Sequence, residues 1–363
     1  VFTGEKAEVT AGLEVRDPGP TEVTVRMVAA GVCHSDVSVI DGTIPFPTPV
    51  VLGHEGAGVV ERVGAEVKTV KPGDHVVITT LANCGLCSYC NTGHPTWCRR
   101  SMANMTQPFT FDGRPAWNFA AASVFSEYTV VAETQAIPID REVPLTSACL
   151  IGCGVITGVG AVLNRAKPSP GQTAAVFGVG GIGLNVIQAL NLSQASRIIA
   201  IDTVPAKERL ARDFGATDFI DARDVDTVAA VRELVPFASG QPNGPMSAGG
   251  VDWSFDCVGH PAVLRNAIDV LDWGGNCVII GVPPPDAELH ALIGRLTHVD
   301  RGLMGCRYGS TRPHHDIPLF IELYRQGRLK LDELVSQTYP LEGFDTVVAD
   351  MHEGKLARGV LTF

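Results

Sequence analysis

The stretch AAVFGVGGIGLNVIQAL, residues 174–190, constrains the fold more than any other part of the chain. An apolar run at 174–177 leads into a turn carrying Gly178, Gly180 and Gly183, and the turn opens a helix-like segment. The same alternation continues downstream. RIIAID (197–202) reads as a strand, and PAKERLARDFG (205–215) as a helix opened by Pro and closed by Gly. ATDFID, VDWSFD (251–256) and NCVIIG (276–281) read as further strands, with helical stretches near 225–235 and 261–272 between them. Strand and helix alternating in this way predict an α/β unit with a doubly wound parallel sheet. The Gly/Pro-rich GQPNGPMSAGG (240–250) is read as a loop inside that unit.

The glycines follow G-x-G-x-x-G between a strand and a helix, the setting in which the pattern binds a dinucleotide. The first glycine permits the tight turn, the second lets a pyrophosphate approach the backbone, and the third lets helix and strand pack closely. Free N–H groups at the helix start face the phosphates. Asp202 ends the next strand. A carboxylate there accepts from ribose hydroxyls and repels a 2′-phosphate, which favours NAD over NADP. Lys207 is the nearby cation that can assist at a ribose hydroxyl. The competing reading is a glycine-rich turn that binds nothing.

The first 150 residues have a different texture. Short runs rich in Val and Gly, such as TEVTVRMVAAG, GVVERVG and DHVVITT, predict strands with little helix. After about residue 300 come LFIELYRQG and GKLARGVLTF, too little chain for a domain, so this end is expected to complete the first one. The expected division is a mainly β domain at 1–154, the dinucleotide-binding domain at 155–298, and a return segment at 299–363.

Within the β region CGLCSYCNTGHPTWC (84–98) holds Cys84, Cys87, Cys90 and Cys98. Four thiolates close a tetrahedral zinc shell and leave no place for substrate, so this zinc is expected to be structural. A redox C-x-x-C or unrelated core thiols are the alternatives. A zinc that does chemistry needs three protein ligands and an open place. Cys33 in GVCHSD, His54 in GHEGAG and Cys153 in IGCGVITG are candidates, but each read alone is more often a core residue than a ligand, and their spacing says nothing. Cys149, Cys257, Cys277 and Cys306 are assigned to packing.

Charge narrows the partners. With 28 Lys+Arg against 39 Asp+Glu the net charge is −11, which argues against nucleic acid as a partner. No uncharged run of 18 apolar residues appears, so no membrane-spanning helix is expected. The opening VFTGEKAEVT lacks the flank and apolar core of an export signal. The expected location is therefore the cytoplasm, where ten cysteines point to metal ligands or packing more than to disulfides.

Taken together, GVCHSD, GHEGAGVVERVG, VKPGDHVV, the four-cysteine lobe, FSEYTVV, GCGVITG, GVGGIG with Asp202, IIGVPP and GKLAR occur in an order that resembles the zinc-dependent alcohol dehydrogenases of the medium-chain dehydrogenase/reductase family. The resemblance spans essentially the whole chain. It implies a GroES-like catalytic domain beside the Rossmann domain, and two zinc ions per subunit. One would be catalytic on Cys33, His54 and Cys153; the other would be structural on the four-cysteine lobe. The activity implied is reversible oxidation of an alcohol to an aldehyde or ketone, with hydride passed to NAD.

Further roles follow from the same resemblance. Ser35 would take the substrate's hydroxyl proton. The family's relay histidine is replaced here by Ser38, which cannot titrate near neutrality, so the proton should pass to water or another base. His34 stands where relatives often carry an arginine toward the pyrophosphate, which predicts weaker NADH binding that declines as pH rises. Asp36 would orient His54 and Glu55 would lie behind the zinc. Arg358 would reach the cofactor and the acids of the zinc domain. Gly181, Val258 and Val282 join the cofactor set. Ser35, Thr80, Phe119 and Val282 would line the substrate pocket, with the loop 101–124, including Met102, Met105 and Trp117, shaping its mouth.

Small residues at 35 and 80 favour primary aromatic or allylic alcohols. Thiol-adduct formaldehyde and polyol dehydrogenases are the enzymatic rivals, and an inactive zinc-stapled binding protein is the rival of another class. A homodimer or homotetramer is expected, with GLMGCRYGS (302–310) as the strand pairing across a two-fold axis.

Overall fold

The computed structural model describes residues 1–103, 105–236 and 249–363, with only the backbone of Met102 and Ala103; of the loop read at 240–250, residues 240–248 lie outside the described residues. The chain forms two compact units, Val1–Ile156 with Thr311–Phe363, and Thr157–Ser310.

In the second unit six parallel strands run in the order Asp218–Asp221, Arg197–Asp202, Thr173–Phe177, Val251–Asp256, Leu271–Ile279, Gly302–Gly305. The order reverses between Thr173–Phe177 and Val251–Asp256, which is the switch point of a doubly wound sheet. Ala174, Ala175 and Val176 have no exposed surface, as expected for a parallel strand covered on both faces. Helix Gly181–Leu192 follows the first strand directly, and nine of its residues are buried. The helix Thr227–Leu234 begins at Asp226, whose carboxylate accepts from Val228 N and Ala229 N. Helix Glu208–Asp213 ends before Gly215, whose φ of +112° only glycine adopts freely.

Two sequence readings of this unit change. The strand read at 276–281 starts earlier, at Leu271, because Gly274 at φ +72° lets the chain turn between Leu271 and Asn276 while both stay paired. GLMGCRYGS forms a strand only over Gly302–Gly305. Tyr308, Gly309 and Ser310 all take positive φ, so extended chain stops before them. The boundary read at 298 falls before this strand, which pairs with Leu271–Ile279 in the second unit.

The first unit is built on a mainly antiparallel sheet ordered Val335–Pro340, Arg358–Thr362, Glu22–Gly31, Glu55–Val63, His75–Ile78, Ala136–Ile139, with Tyr128–Ala132 also paired to Glu22–Gly31. Val335–Pro340 and Arg358–Thr362 come from the returning chain, and Arg358–Thr362 lies against Glu22–Gly31. Val23, Val25, Met27, Val60, Val76 and Ile78 form the core of one sheet face. Among the described residues no single helix is long and apolar enough to cross a membrane.

Candidate functional site

Three separate pieces of the first unit converge on one point. Cys33 follows the Glu22–Gly31 strand and precedes the helix His34–Ile40. His54 and Glu55 open the strand Glu55–Val63, just after Gly53 at φ +92°. Cys153 sits in the break between two helical turns, Cys149–Gly152 and Gly154–Gly160. Ligand atoms of Cys33, His54, Glu55 and Cys153 all lie within 4.8 Å of one another, and all four residues are buried. Local sequence could not reveal this meeting, because strand register in the first sheet makes it.

Asp36 ties the point together. One of its oxygens accepts from Gly53 N at 2.9 Å and meets His54 Nδ1 at 3.1 Å, and the other accepts from Cys33 N at 3.2 Å. A proton on Nδ1 leaves Nε2 as the donor to a metal, which is the arrangement that fixes a ligating imidazole. Glu55 has no exposed surface, and neither carboxylate oxygen has a hydrogen-bond partner. The Arg358 guanidinium, itself only 6% exposed, lies 3.5 Å from it. Burial pushes the Glu55 carboxyl up to about 7, against the pull of Arg358. Gly154 leaves room for this pair, since a Cβ there would stand 2.5 Å from Arg358 Nη2 and the guanidinium would have to shift. Two thiols, one oriented imidazole and an orphaned carboxylate fit a zinc ion by donor chemistry and spacing.

The surroundings are aromatic. The Phe119 ring stands edge-to-face on His54 with centroids 5.4 Å apart, and Phe46 stands edge-to-face on Phe119 at 5.3 Å. Phe46 was missed in the sequence: it sits in the Pro-rich TIPFPTPV, where no periodicity marks it. Ser35 is half-buried with its Oγ 3.9 Å from Cys33 Sγ. Thr80 is buried and its hydroxyl has no partner among the described residues. His34 is exposed and Ser38 half-buried. In the mouth loop Trp117 is half-buried and Met105 exposed, whereas the Met102 side chain lies outside the described residues.

The four-cysteine lobe is a second convergence, made by local chain alone. Cys84 and Cys98 sulfurs stand 3.6 Å apart and those of Cys87 and Cys90 3.5 Å, with all four within 4.8 Å. Sulfurs bound tetrahedrally to zinc stand about 3.8 Å apart, so the spacing fits the ion. Gly85 and Gly93 at positive φ allow the tight path. Backbone N–H groups of Leu86 and Cys87 pull the Cys84 thiol down to about 6, while burial pushes Cys90 up to about 12. A divalent cation removes that conflict by ionising all four. All ten cysteines are free, with no disulfide.

In the second unit Gly178 turns at φ +89° and Gly180 caps the helix Gly181–Leu192. A Cβ on Gly183 would lie 1.9 Å from Gly178 O, so that glycine is obligatory. A Cβ on Gly180 would meet nothing within 4 Å, which leaves the open face a pyrophosphate needs. Asp202 accepts from Val179 N at 2.7 Å, Val204 N at 2.9 Å and Lys207 Nζ at 3.0 Å, so the acid and the lysine form one ion pair at the strand end. Val258 and Val282 belong to this unit and are 46% and 65% exposed.

Known proteins match along the whole chain. The family model described as "Alcohol dehydrogenase GroES-like domain" matches residues 19–141, and that described as "Zinc-binding dehydrogenase" matches residues 181–326. The S-(hydroxymethyl)glutathione dehydrogenases of Haemophilus influenzae and of a Synechocystis species are each 38% identical over 361 residues. That covers 97% of this chain and 93% and 95% of theirs. Among solved structures, an alcohol dehydrogenase zinc-binding domain protein from Burkholderia ambifaria superposes with a TM-score of 0.89 at 36% identity. The benzyl alcohol dehydrogenase of Acinetobacter calcoaceticus does so with 0.88 at 32%. Each covers 97% of this chain and 94% of the other.

Proposed function

Since the chain belongs to the zinc-dependent alcohol dehydrogenases of the medium-chain dehydrogenase/reductase family, we propose that it oxidises primary aromatic or allylic alcohols with NAD as hydride acceptor. The observation that supports the substrate class is the pair of rings Phe119 and Phe46, the first edge-to-face on His54 and the second edge-to-face on the first. A flat π-system gains dispersion and edge-to-face contact there that a short alkyl chain cannot.

Cys33, His54 and Cys153 would hold the catalytic zinc, which supplies a Lewis acid that lowers the pKa of an alcohol hydroxyl. Asp36 holds the imidazole in the tautomer that binds metal through Nε2. Ser35 Oγ accepts the substrate's proton as it hands on its own, and because Ser38 cannot titrate near neutrality the proton passes to water or another base. Arg358 offsets the charge that two thiolates and Glu55 place in a buried space. Asp202 and Lys207 bind the adenosine ribose, and the second glycine of the loop, Gly180, lets the pyrophosphate approach the backbone. His34 serves as the cation at the pyrophosphate.

The names of the 38%-identical relatives favour a second reading, oxidation of S-hydroxymethylglutathione. That substrate carries two carboxylates, which call for cations near the site. The chain has no Lys or Arg from residue 27 to 61 and only Arg114 from 101 to 124, so the apolar reading is preferred. NADH formation measured on benzyl alcohol, cinnamyl alcohol, ethanol, sorbitol and formaldehyde with glutathione tests both. Highest kcat/KM on the glutathione adduct would replace the first reading with the second. We further propose a homodimer or homotetramer built on the edge strand Gly302–Gly305, whose Leu303 is 37% exposed; a monomer in sedimentation would refute it.

A further inference from the structure

Asp256 is the last residue of Val251–Asp256, the first strand past the switch point, and it has no exposed surface. Its Oδ1 accepts from Val258 N at 3.0 Å and from Gly259 N at 3.1 Å. Its backbone carbonyl accepts from Ile280 N and Gly281 N, both at 2.9 Å. One residue therefore holds two consecutive turns. The turns are also pressed together: a Cβ on Gly281 would stand 2.1 Å from Gly259 N, and Gly259 itself needs φ +83°. Val258 is wedged from the other side, with its Cγ2 2.7 Å from where a Gly178 Cβ would be.

The remaining oxygen, Asp256 Oδ2, is buried without a hydrogen-bond partner. Burial pushes this carboxyl above the usual range, and the two turn N–H groups pull the other way. A carboxylate left half-satisfied in the interior costs stability, and beyond the two turn N–H groups only His260 favours its charged form. What the carboxylate does is fix the turn.

Asp202 marks the half of the sheet that takes the adenosine, so the turns across the switch point face the other half of a dinucleotide. We propose that Asp256 is a positioning residue for the nicotinamide end of the cofactor, acting by clamping the turn that carries Val258 against Gly178 and Gly281. This rests on the NAD reading above. Val258 is then a rigid apolar wall at the ring, and the clamp makes binding independent of ordering the turn at the moment of association.

Direct titration of the zinc-loaded, full-length protein with NADH and with ADP-ribose, which lacks the nicotinamide, separates the outcomes. Asp256→Ala is expected to weaken NADH roughly ten-fold while leaving ADP-ribose within about two-fold, and to raise the KM for NAD more than it lowers kcat. Asp256→Asn keeps the acceptor and is expected to keep NADH binding within about two-fold of the parent. Equal losses of both ligands in Asp256→Ala would make the residue merely structural and overturn the proposal. An Asn variant that binds NADH roughly ten-fold more weakly than the parent would overturn it too, because the acceptor would not be what counts, and this holds even if the Ala variant fails to fold. A parent protein that binds ADP-ribose but gains nothing from the nicotinamide overturns it while sparing the adenosine site. A parent that binds neither ligand overturns the NAD reading as well.

Discussion

The two metal-ligand clusters of the first unit each bring four potential donor side chains together, yet they are built by opposite means. Cys84, Cys87, Cys90 and Cys98 come from fifteen consecutive residues, and the short helix Ser88–Asn91 among them buries none of its side chains. Cys33, His54, Glu55 and Cys153 come from three distant segments, and every one is buried under sheet and helix. In the first cluster the metal supplies the order that the chain lacks. In the second the fold supplies the order, and the metal enters a place already shaped. Closed coordination and local chain belong to architecture, whereas assembly by tertiary structure leaves room for an aromatic wall and a substrate.

The contrast is broken most directly by deleting one donor from each. His54→Ala should reduce kcat by about 10³-fold or more with one zinc lost, while the thermal midpoint moves little, because the surrounding sheet holds the site. Metal analysis, turnover and a melting curve together check this. Cys87→Ser should do the reverse. One zinc is again lost, but the lobe becomes the first site of proteolytic cutting and the midpoint falls by roughly 5 °C or more, since metal binding there is folding energy. If both variants lose activity and stability alike, the two clusters are not different in kind.

A finer cut is Asp36→Asn, which keeps volume but weakens the grip on His54, Gly53 and Cys33. Zinc affinity at the catalytic cluster should fall about 10- to 100-fold, read by competition with a chelator, while the lobe keeps its metal. The smallest expected effect is at the wall. Phe46→Ala removes the outer of the two rings, and kcat/KM for benzyl alcohol should fall roughly ten-fold with ethanol changed by less than about three-fold. Equal losses on both substrates would mean that the ring supports His54 through Phe119 and does not read the substrate.

The lobe and the glycine loop were legible in the sequence because their chemistry is local. Cysteine spacing fixes a coordination shell, and strand, glycines and helix follow one another in the chain, down to the Gly183 that meets Gly178 O. Cys33, His54 and Cys153 were legible only through the resemblance. Nothing in their spacing records that the strands Glu22–Gly31 and Glu55–Val63 pair with Gly31 opposite Glu55. Phe46 and the Asp256 clamp were not legible at all. Phe46 owes its place to a loop held by contacts with Phe119, and Asp256 is an ordinary strand-end acid until its two turns are seen pressed backbone to backbone.

The strand Arg358–Thr362, laid along Glu22–Gly31, has a consequence for how the buried centre acquires its charge. Cys33, His54 and Cys153 all lie within the first 153 residues, but the guanidinium behind Glu55 comes roughly two hundred residues further along the chain. Until that strand pairs, Glu55 has no guanidinium at its back, so docking of a distant piece of chain completes the charge balance of the centre.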